Sequence, residues 1–433
     1  MRTFHVHNFG CRATQADGAA LEGMLRKQGL ESVSETAGAD LVILNTCTVT
    51  ATADDEMRQV TRRVHRENPG ARILVTGCYA QRAPEQLAAL PGVHWVIGNS
   101  HKIQIPELIG MEEDGGAPFH SQIHVGDIFS HQEFLSAPVE DASGDRSRPN
   151  LKVQDGCNNR CSFCVIPSVR GRSRSARPEA VVEQIRGLAT RYREVVLSGI
   201  NLGRWGRDLD FRFRFTDLLR RVLDETPIER LRLSSVEPMD FSDDLLRLIA
   251  DSPRIASHVH APLQSGSGSV LRRMRRKYRP RHYEDRIRKA REWMPLAAIG
   301  ADVMTGFPGE TEAEFEESRR FIESLPFTYL HVFTYSERPG TEAAAHDQVP
   351  MPARKQRTRI LRELAAEKNL AFRNRLVGTT ISAVTLDQPG TAMSENYIKV
   401  ELNRPRPANQ LIDVTIGSVS EHGVREASPF RVL

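Results

Sequence analysis

Three cysteines lie within one short segment of the chain, Cys157, Cys161 and Cys164, spaced by three and then two residues. Thiols with such spacing are typical of metal ligands in reduced proteins. A structural zinc site closes with four protein ligands, whereas an iron–sulfur cluster held by three cysteines leaves one iron open to a molecule that is not protein. The spacing therefore predicts a cluster with an open iron, and the alternatives are a three-ligand zinc site or a disulfide-prone loop.

The other three cysteines each follow a strand-like run of residues, at Cys11, Cys47 and Cys78. Parallel strands have their carboxyl ends on one edge of a sheet, so we expect the three thiols to meet there. This arrangement predicts a second three-thiolate site. At any single position the alternative is a small buried hydrophobic residue.

Composition indicates an ordinary protein of 433 residues, long enough for about three domains. The apolar runs are too short to target or cross a membrane, so we expect a cytoplasmic protein with no membrane partner. Net charge is only +4, yet seven of the eleven residues from Leu271 to Arg281 are Arg or Lys. This basic run favours a polyanionic partner, and a solvated helix face is the alternative.

Residues 1–140 are predicted to form an N-terminal parallel α/β domain, because strand and helix signals alternate along them. The expected elements are strands at 3–9, 40–45 and 72–76 and helices at 15–28 and 53–67. Gly, Pro and mixed charge then replace this pattern, and 140–149 is predicted to be a linker.

Residues 141–375 are predicted to form an α/β core, a partial parallel barrel of six βα units, (β/α)6. Helix 311–325, with a capping box of Thr311 and Glu314, is typical of the segments between its strands. Active sites of such barrels lie at the carboxyl ends of the strands, which is where the Cys157–Cys164 loop is expected. The expected strands are 151–154, 194–198, 231–236, 258–263, 299–304 and 329–334.

Residues 376–433 follow a predicted helix at 353–376 and contain short β runs at 379–387, 397–402 and 411–418. No further helix signal is present. This pattern predicts a small all-β barrel of the oligonucleotide-binding (OB-like) kind. A packing appendage is the alternative.

Together, the two cysteine trios and the terminal β module resemble the radical S-adenosylmethionine (SAM) methylthiotransferases along essentially the whole chain. The resemblance implies an N-terminal methylthiotransferase domain, a radical SAM core and a C-terminal TRAM domain. It also implies two [4Fe-4S] clusters held by the six cysteines, and SAM as a cofactor at the open iron of the Cys157 trio. The motifs that carry it are LNTCTVT (44–50), VQDGCNN (153–159), LSGINLG (197–203), PLQSGS (262–267) and GFPGET (306–311).

Five further residues are predicted to bind this cofactor. Gly199 ends a strand at the barrel mouth and lets backbone carbonyls approach the SAM amino group, with Asn201 adjacent. Ser235 and Glu237 follow the third strand, where a ribose hydroxyl or a carboxylate can be bound. Arg170 can pair with the SAM carboxylate or with an RNA phosphate. The alternatives are a plain strand-to-loop glycine, ordinary polar strand ends and a surface arginine.

The resemblance further implies the reaction. One SAM methylates a sulfur held at the strand-end trio, and a second SAM supplies the radical that abstracts hydrogen from the substrate carbon. The chain departs from the family pattern at Thr14, where Asn is usual, and at Gly18-Ala19, where acidic and hydroxyl residues are expected. These departures alter the surroundings of the cluster and leave its three ligands intact.

Three stretches look most like the branch that acts on N6-threonylcarbamoyladenosine at position 37 of tRNA: 45–50 with Ala53-Asp54, 232–238 and 331–336. The resemblance thus implies the tRNA anticodon loop as partner, an electron donor such as flavodoxin or ferredoxin, and no DNA. The alternative substrates are isopentenyladenosine in tRNA and an aspartate of a ribosomal protein. A different class of protein, an iron–sulfur carrier or sensor that binds RNA without catalysis, is a further alternative.

Overall fold

The chain folds, in order, into a parallel sheet, a partial barrel and a small closed barrel. A computed structural model describes residues 1–110, 121–131, 134, 147–210 and 213–428. The expected boundary between residues 140 and 141, and most of the expected linker, lie outside these ranges. The three-part α/β and all-β fold class is confirmed.

The N-terminal sheet has six parallel strands in the order β2-β1-β3-β4-β5-β6. Its strands are nearly continuous apolar runs because helices cover both faces. Strand β3 contributes to a separate apolar core on each face of the sheet. One core contains Val42 and Leu44, and the other contains Leu41 and Ile43. The elements are β1 (Thr3–Asn8), α1 (Arg12–Lys27), β2 (Glu31–Ser32), β3 (Leu41–Thr46), α2 (Ala51–Glu67), β4 (Arg72–Gly77), α3 (Cys78–Arg82), α4 (Pro84–Ala88), β5 (Val93–Gly98), α5 (Ile105–Gly110) and β6 (Gln122–His124).

The core is a six-stranded partial barrel built from two parallel sheets, β10-β9-β7 and β11-β12-β13, with β8 antiparallel at one edge. A bridge between Leu231 and Ile255 joins the two sheets. The elements are β7 (Asn150–Asp155), α6 (Ile166–Arg170), β8 (Arg174–Ser175), α7 (Pro178–Ala189), β9 (Glu194–Gly199), α8 (Phe215–Glu225), β10 (Arg230–Leu233), α9 (Asp243–Asp251), β11 (His258–His260), α10 (Gly268–Arg273), α11 (Pro280–Trp293), β12 (Ala298–Thr305), α12 (Glu312–Ser324) and β13 (Tyr329–Thr334).

All six predicted barrel strands are present, and two are shorter than expected. β11 ends at His260 because Pro262 has no N–H to donate to the sheet. The capping box of α12 is confirmed, since the Thr311 hydroxyl accepts from the Glu314 N–H at 3.3 Å and the Glu314 carboxylate accepts from the Thr311 N–H at 2.9 Å.

Side chains of the barrel strands alternate between the helices and the lumen. The outward residues, such as Val195, Leu231 and Val332, belong to one large apolar core with the helices. The lumen is polar by contrast. Its inward residues include Glu194, Arg232, His258, His260, Asp302, Tyr329 and His331.

The C-terminal strands close into a barrel in the order β14-β15-β16-β18-β17, which confirms the predicted OB-like module. Helix α13 joins it to the core, because Leu361 packs in the core while Phe372 and Leu376 pack in the barrel. No helix among the described residues combines the length and the apolar composition needed to cross a membrane. The elements are α13 (Met351–Leu376), β14 (Thr380–Thr385), β15 (Thr391–Ser394), β16 (Lys399–Glu401), β17 (Leu411–Val419) and β18 (Val424–Glu426).

Candidate active site

The strand-end trio, Cys11, Cys47 and Cys78, follows three neighbouring strands at one edge of the N-terminal sheet. Asn8 of β1, Asn45 of β3 and Thr76 of β4 are in register, so the three chains leave the sheet side by side. Cys47 and Cys78 are buried, and Cys11 is exposed. The topology therefore brings these cysteines together, as predicted.

The surroundings of this trio account for the two departures from the family pattern. The Thr14 hydroxyl lies 3.4 Å from the Cys11 Sγ, so it interacts directly with that sulfur. A Cβ at Gly18 would fall 2.0 Å from the Asn8 Oδ1, which accepts from the Asn45 amide at 2.8 Å, so a larger residue there would displace the Asn8 side chain. Burial, with the neighbouring Cys11 and Cys78, raises the pKa of the Cys47 thiol to about 12. Such a thiol becomes a thiolate only beside a strong positive charge such as a metal centre.

The loop trio, Cys157, Cys161 and Cys164, lies between β7 and α6. Gly156 precedes it with φ +67, and a Cβ there would fall 2.0 Å from the Arg172 carbonyl oxygen. The Cys157 N–H donates to the Gly171 carbonyl at 3.1 Å. These backbone constraints fix the loop at the carboxyl end of the first barrel strand.

The spacing of the sulfur atoms bears on which metal group they suit. Two ligands of one zinc ion lie at most about 4.6 Å apart, because each Zn–S bond is about 2.3 Å. Among the described residues the group whose donor atoms all lie within 4.8 Å of one another is His260, Asp302 and His331, and neither cysteine trio meets that limit. All six cysteines are free thiols. Each trio offers three thiols, which is the donor set of a cluster that keeps one iron open.

Asn201 and Gly199 lie beside the loop trio. The Asn201 side-chain amide donates to the Cys157 Sγ at 3.7 Å, and its backbone N–H donates to the Gln154 Oε1 at 2.6 Å. The Asn201 Oδ1 is buried and has no partner among the described residues. A Cβ at Gly199 would lie 3.0 Å from the Gln154 Cβ, so the strand end is tightly packed. An unpartnered acceptor at this point fits a bound ammonium such as the SAM amino group.

Glu237 is tied to the loop trio through Arg276, a residue that the sequence analysis missed. Arg276 is 8% exposed; it donates to the Glu237 Oε2 and, at 3.2 Å, to the Cys161 Sγ. The sequence signal was that Arg276 lies two residues from Met274 and two residues from Tyr278. In a chain whose side chains alternate between inside and outside, Arg276 points inward together with these two. Ser235 is half-buried, and its side chain forms no hydrogen bond with any residue that the structure describes.

Arg170 lies in a buried ion cluster between the N-terminal domain and the core. Its guanidinium donates to Asp17 and to Asp155, each at 3.0 Å, and Lys102 and Lys152 also bind Asp17. Arg170 is only 1% exposed, so the surface alternative is wrong. Burial opposes the shift, but Asp155, and then Cys78, Asp17 and Cys11, raise the pKa of Arg170 well above its ordinary value. Its contact with SAM stays a prediction.

One short helix connects the two trios. Helix α6 begins two residues after Cys164, and Val165 and Val169 pack against Cys78. The Asn99 amide donates to the Val169 carbonyl at 2.8 Å and to the Cys78 Sγ at 3.6 Å. The two trios therefore lie on neighbouring surfaces of the two domains. The predicted ligands of both clusters therefore lie on one side of the boundary between the two domains.

Known proteins share both halves of this arrangement. The model of "Uncharacterized protein family UPF0004" matches residues 3–98, and that of the "Radical SAM superfamily" matches residues 151–322. Threonylcarbamoyladenosine tRNA methylthiotransferase MtaB of Bacillus subtilis is 39% identical over 366 residues, 83% of this chain and 80% of that protein. The tRNA-2-methylthio-N(6)-dimethylallyladenosine synthase of Bifidobacterium adolescentis is 34% identical over 441 residues, 97% of this chain and 90% of that protein.

A solved structure shares the fold. The radical S-adenosylmethionine methyltransferase TsrM of Kitasatospora setae superposes with a TM-score of 0.58 at 17% identity, over 79% of this chain and 77% of that chain. The fold and the relatives together define a radical SAM enzyme. The chain belongs to the radical SAM methylthiotransferase family. Its cofactors are [4Fe-4S] clusters and SAM, as predicted.

Proposed function

We propose that this enzyme converts N6-threonylcarbamoyladenosine at position 37 of tRNA into its 2-methylthio derivative in the cytoplasm. The observation that carries the proposal is the higher identity to the relative named for threonylcarbamoyladenosine than to the one named for dimethylallyladenosine. The motifs at 45–50, 232–238 and 331–336 favour the same branch.

The lumen supports this choice of substrate. Its inward side chains are charged or polar, among them Arg232, His260, Asp302 and His331. A threonylcarbamoyl group carries a carboxylate and amide groups that can bond polar atoms such as the His331 Nε2, which has no partner among the described residues, whereas an isopentenyl group would desolvate such an atom without bonding it.

Each cysteine trio has its own task in this proposal. The loop trio would hold the cluster that binds SAM, and the strand-end trio would hold the second cluster. When bound, these groups supply the methyl group, the sulfur and the radical that abstracts a hydrogen from the substrate carbon. Asn201 orients Cys157 and offers its Oδ1 to SAM, while Arg276 holds Cys161 and Glu237 in fixed positions. Burial of Cys47 and Cys78 keeps water from the sulfur that is transferred.

The exposed side of the basic run is the proposed track for the tRNA anticodon loop. Arg272, Lys277 and Arg281 are exposed, and Lys277 lines the same cleft as Cys161 and Glu237. Replacing these three cations by Gln should weaken tRNA binding and reduce its log–log salt slope by about 0.7 to 0.9 for each phosphate that is no longer neutralised. The C-terminal barrel is the second proposed RNA-binding surface. Flavodoxin or ferredoxin remains the proposed electron donor.

The test of the substrate is to incubate reduced enzyme with SAM, a sulfide source and tRNA that carries either modification. We expect the 2-methylthio product, detected by nucleoside mass spectrometry, on the threonylcarbamoyl tRNA alone. Product confined to the isopentenyl tRNA would overturn the substrate and leave the chemistry standing. Product on neither tRNA, from enzyme that cleaves SAM, would redirect the search to the ribosomal-protein aspartate.

A further inference from the structure

The inward face of β13 is unusually open. Tyr329, His331 and Phe333 share this face, while Val332 on the other face packs in the core. The His331 side chain is 48% exposed and Phe333 is 46% exposed. Side chains normally fill the interior of a small barrel, so two open neighbours on one strand indicate free space in the lumen.

A hydrogen-bond network fixes the imidazole of His331 in this space. Its Nδ1 lies 3.2 Å from the Asp302 Oδ1, and the His260 Nε2 lies 3.1 Å from the same oxygen. The Tyr329 hydroxyl completes the network at 2.8 Å from the His260 Nδ1. The Nε2 of His331 has no hydrogen-bond partner among the described residues and is free to bond a ligand.

The same residues form a continuous aromatic wall. The His331 ring centroid lies 5.2 Å from that of His260, 5.3 Å from Tyr329 and 6.5 Å from Phe333. Proteins that bind an unpaired base stack it on aromatic rings and bond its edges with polar side chains. An exposed phenylalanine beside a fixed imidazole provides both interactions.

The opposite wall of the lumen comes from the N-terminal domain. Helix α1 packs against β7 and β9, and its first residue, Arg12, directly follows Cys11. The Asn150 amide donates to the Arg12 carbonyl at 2.6 Å, which anchors this helix end at the start of β7. Burial first, and then the charges of Arg232, His260 and Arg12, hold the pKa of His258 well below its ordinary value. The Asn150 side chain lies on the face of β7 opposite to Leu151 and Val153, which pack outward, so Arg12 lies on the lumen side of this strand.

Arg12 differs from the other arginines of this region because no carboxylate among the described residues pairs with it. Arg232 is bound to Glu194 and Arg276 to Glu237. Arg170 is bound to both Asp17 and Asp155. Arg12 is thus a half-buried cation, next to a cluster ligand, with an unused guanidinium fork.

We infer that Arg12, His331 and Phe333 form the binding site of the modified adenosine. The base stacks on Phe333, His331 bonds its edge, and Arg12 pairs with the carboxylate of its N6 substituent, because a guanidinium fork matches a carboxylate. This inference rests on the proposed function and names the residues that select its substrate. A base held by Arg12 lies beside Cys11, where the sulfur to be transferred is expected.

The test is nucleoside binding to the full-length enzyme, measured by isothermal titration with N6-threonylcarbamoyladenosine, N6-isopentenyladenosine and adenosine. Arg12→Gln should weaken binding of the threonylcarbamoyl nucleoside by about tenfold or more and leave binding of the other two unchanged. Only the threonylcarbamoyl nucleoside loses a charged hydrogen bond. Arg12→Lys, which keeps the charge and removes the fork, should be intermediate. Phe333→Ala should weaken all three nucleosides, since all of them stack.

Two controls make the outcome decisive. Arg193→Gln removes an exposed arginine that pairs with Glu229, outside the basic run, and Phe129→Ala removes a phenylalanine of similar exposure to Phe333, 49%, in another part of the chain. Neither should change any of the affinities. Equal weakening of all three nucleosides in Arg12→Gln would overturn the carboxylate pairing, and unchanged binding in Phe333→Ala would overturn the stacking wall. If either result were found together with the 2-methylthio product on threonylcarbamoyl tRNA, the proposed function would still hold. Product confined to isopentenyl tRNA would reject the function independently.

Discussion

The two cysteine trios are built in opposite ways. The loop trio lies within eight residues, from Cys157 to Cys164, and its geometry depends on the local backbone. The strand-end trio comes from three βα units, and only the parallel register of β1, β3 and β4 brings its cysteines together. A local site can be recognised from spacing alone, whereas an assembled site can be recognised only after the sheet is predicted.

The supports of the two trios differ as well. The loop trio is fixed by the core itself, through the Gly171 and Met274 carbonyls. The strand-end trio meets the core through the buried ion cluster around Asp17. Changes where the two domains meet should therefore affect the strand-end trio first.

The largest expected effect is that of Cys161→Ala. It removes one of the three proposed ligands of the radical SAM cluster, and no neighbouring cysteine can replace it. We expect no 5′-deoxyadenosine from SAM and a fall of about half in the bound iron. Formation of 5′-deoxyadenosine at the wild-type rate would refute the ligand assignment.

The reciprocal change is the triple replacement of Cys11, Cys47 and Cys78 by Ala. SAM cleavage should persist while methylthio transfer ends, because the loop trio does not depend on the sheet edge. Iron content should again fall by about half. An unchanged iron content after reconstitution would show that the strand-end cysteines are not ligands.

Asp17→Asn tests the ion cluster between the domains. Asp17 and Asp155 together pair with three cations, Lys102, Lys152 and Arg170, and breaking a buried ion network costs about 3 to 5 kcal/mol. We expect a lower unfolding temperature by calorimetry and depletion of iron from the strand-end trio, with SAM cleavage retained.

The control for this change is Asp55→Asn, which alters a carboxylate 66% exposed on α2. Exposed ion pairs contribute little, so its unfolding temperature should match that of the wild type. Equal loss of iron from both trios in Asp17→Asn would contradict this prediction. It would show that the ion cluster supports the loop trio as much as the strand-end trio.

Much of this organisation was predictable from the sequence. Apolar runs and strand-end cysteines located β1, β3, β4 and the six barrel strands, because parallel strands buried on both faces are continuous apolar segments. Strands β2, β5, β6 and β8 were missed, as were β15 and β18 of the C-terminal barrel. The β5 run is interrupted by His94, and β6 is a three-residue edge strand that pairing with β5 creates.

The burial of two arginines at the site, Arg276 and the already predicted Arg170, was missed for one physical reason. Arg276 and Arg170 belong to a residue type that is almost always exposed, so composition assigns them to solvent or RNA. Their burial depends on partners distant in sequence, Glu237 for Arg276 and Asp17 for Arg170. Ion pairs of this kind follow from tertiary packing, which local patterns do not encode.

The smallest expected effect concerns the support of the loop trio. The Ser162 hydroxyl donates to the Arg273 carbonyl at 2.8 Å, and Arg273 is held by Glu314 at 2.8 Å. Glu314 also caps α12, so Glu314→Gln should cost about 1 kcal/mol at neutral pH. Urea unfolding of the wild type and the variant at pH 7 measures this difference.

The dependence on pH gives the same prediction a sharper form. Hydrogen bonds from Arg273, and then from Ser269 and the Thr311 N–H, lower the pKa of Glu314 from 4.5 to about 2 against the opposing effect of burial. The carboxylate therefore stabilises the fold above pH 4.5, and this stabilisation disappears as the pH falls toward 2. The difference in the free energy of unfolding between the wild type and Glu314→Gln should become smaller as the pH falls from 4.5 to 2. Glu317→Gln, at an exposed position of the same helix, should leave the unfolding curve unchanged at every pH. If this difference in the free energy of unfolding stayed constant down to pH 2, the Glu314 side chain would stabilise the fold by packing and not by its charge.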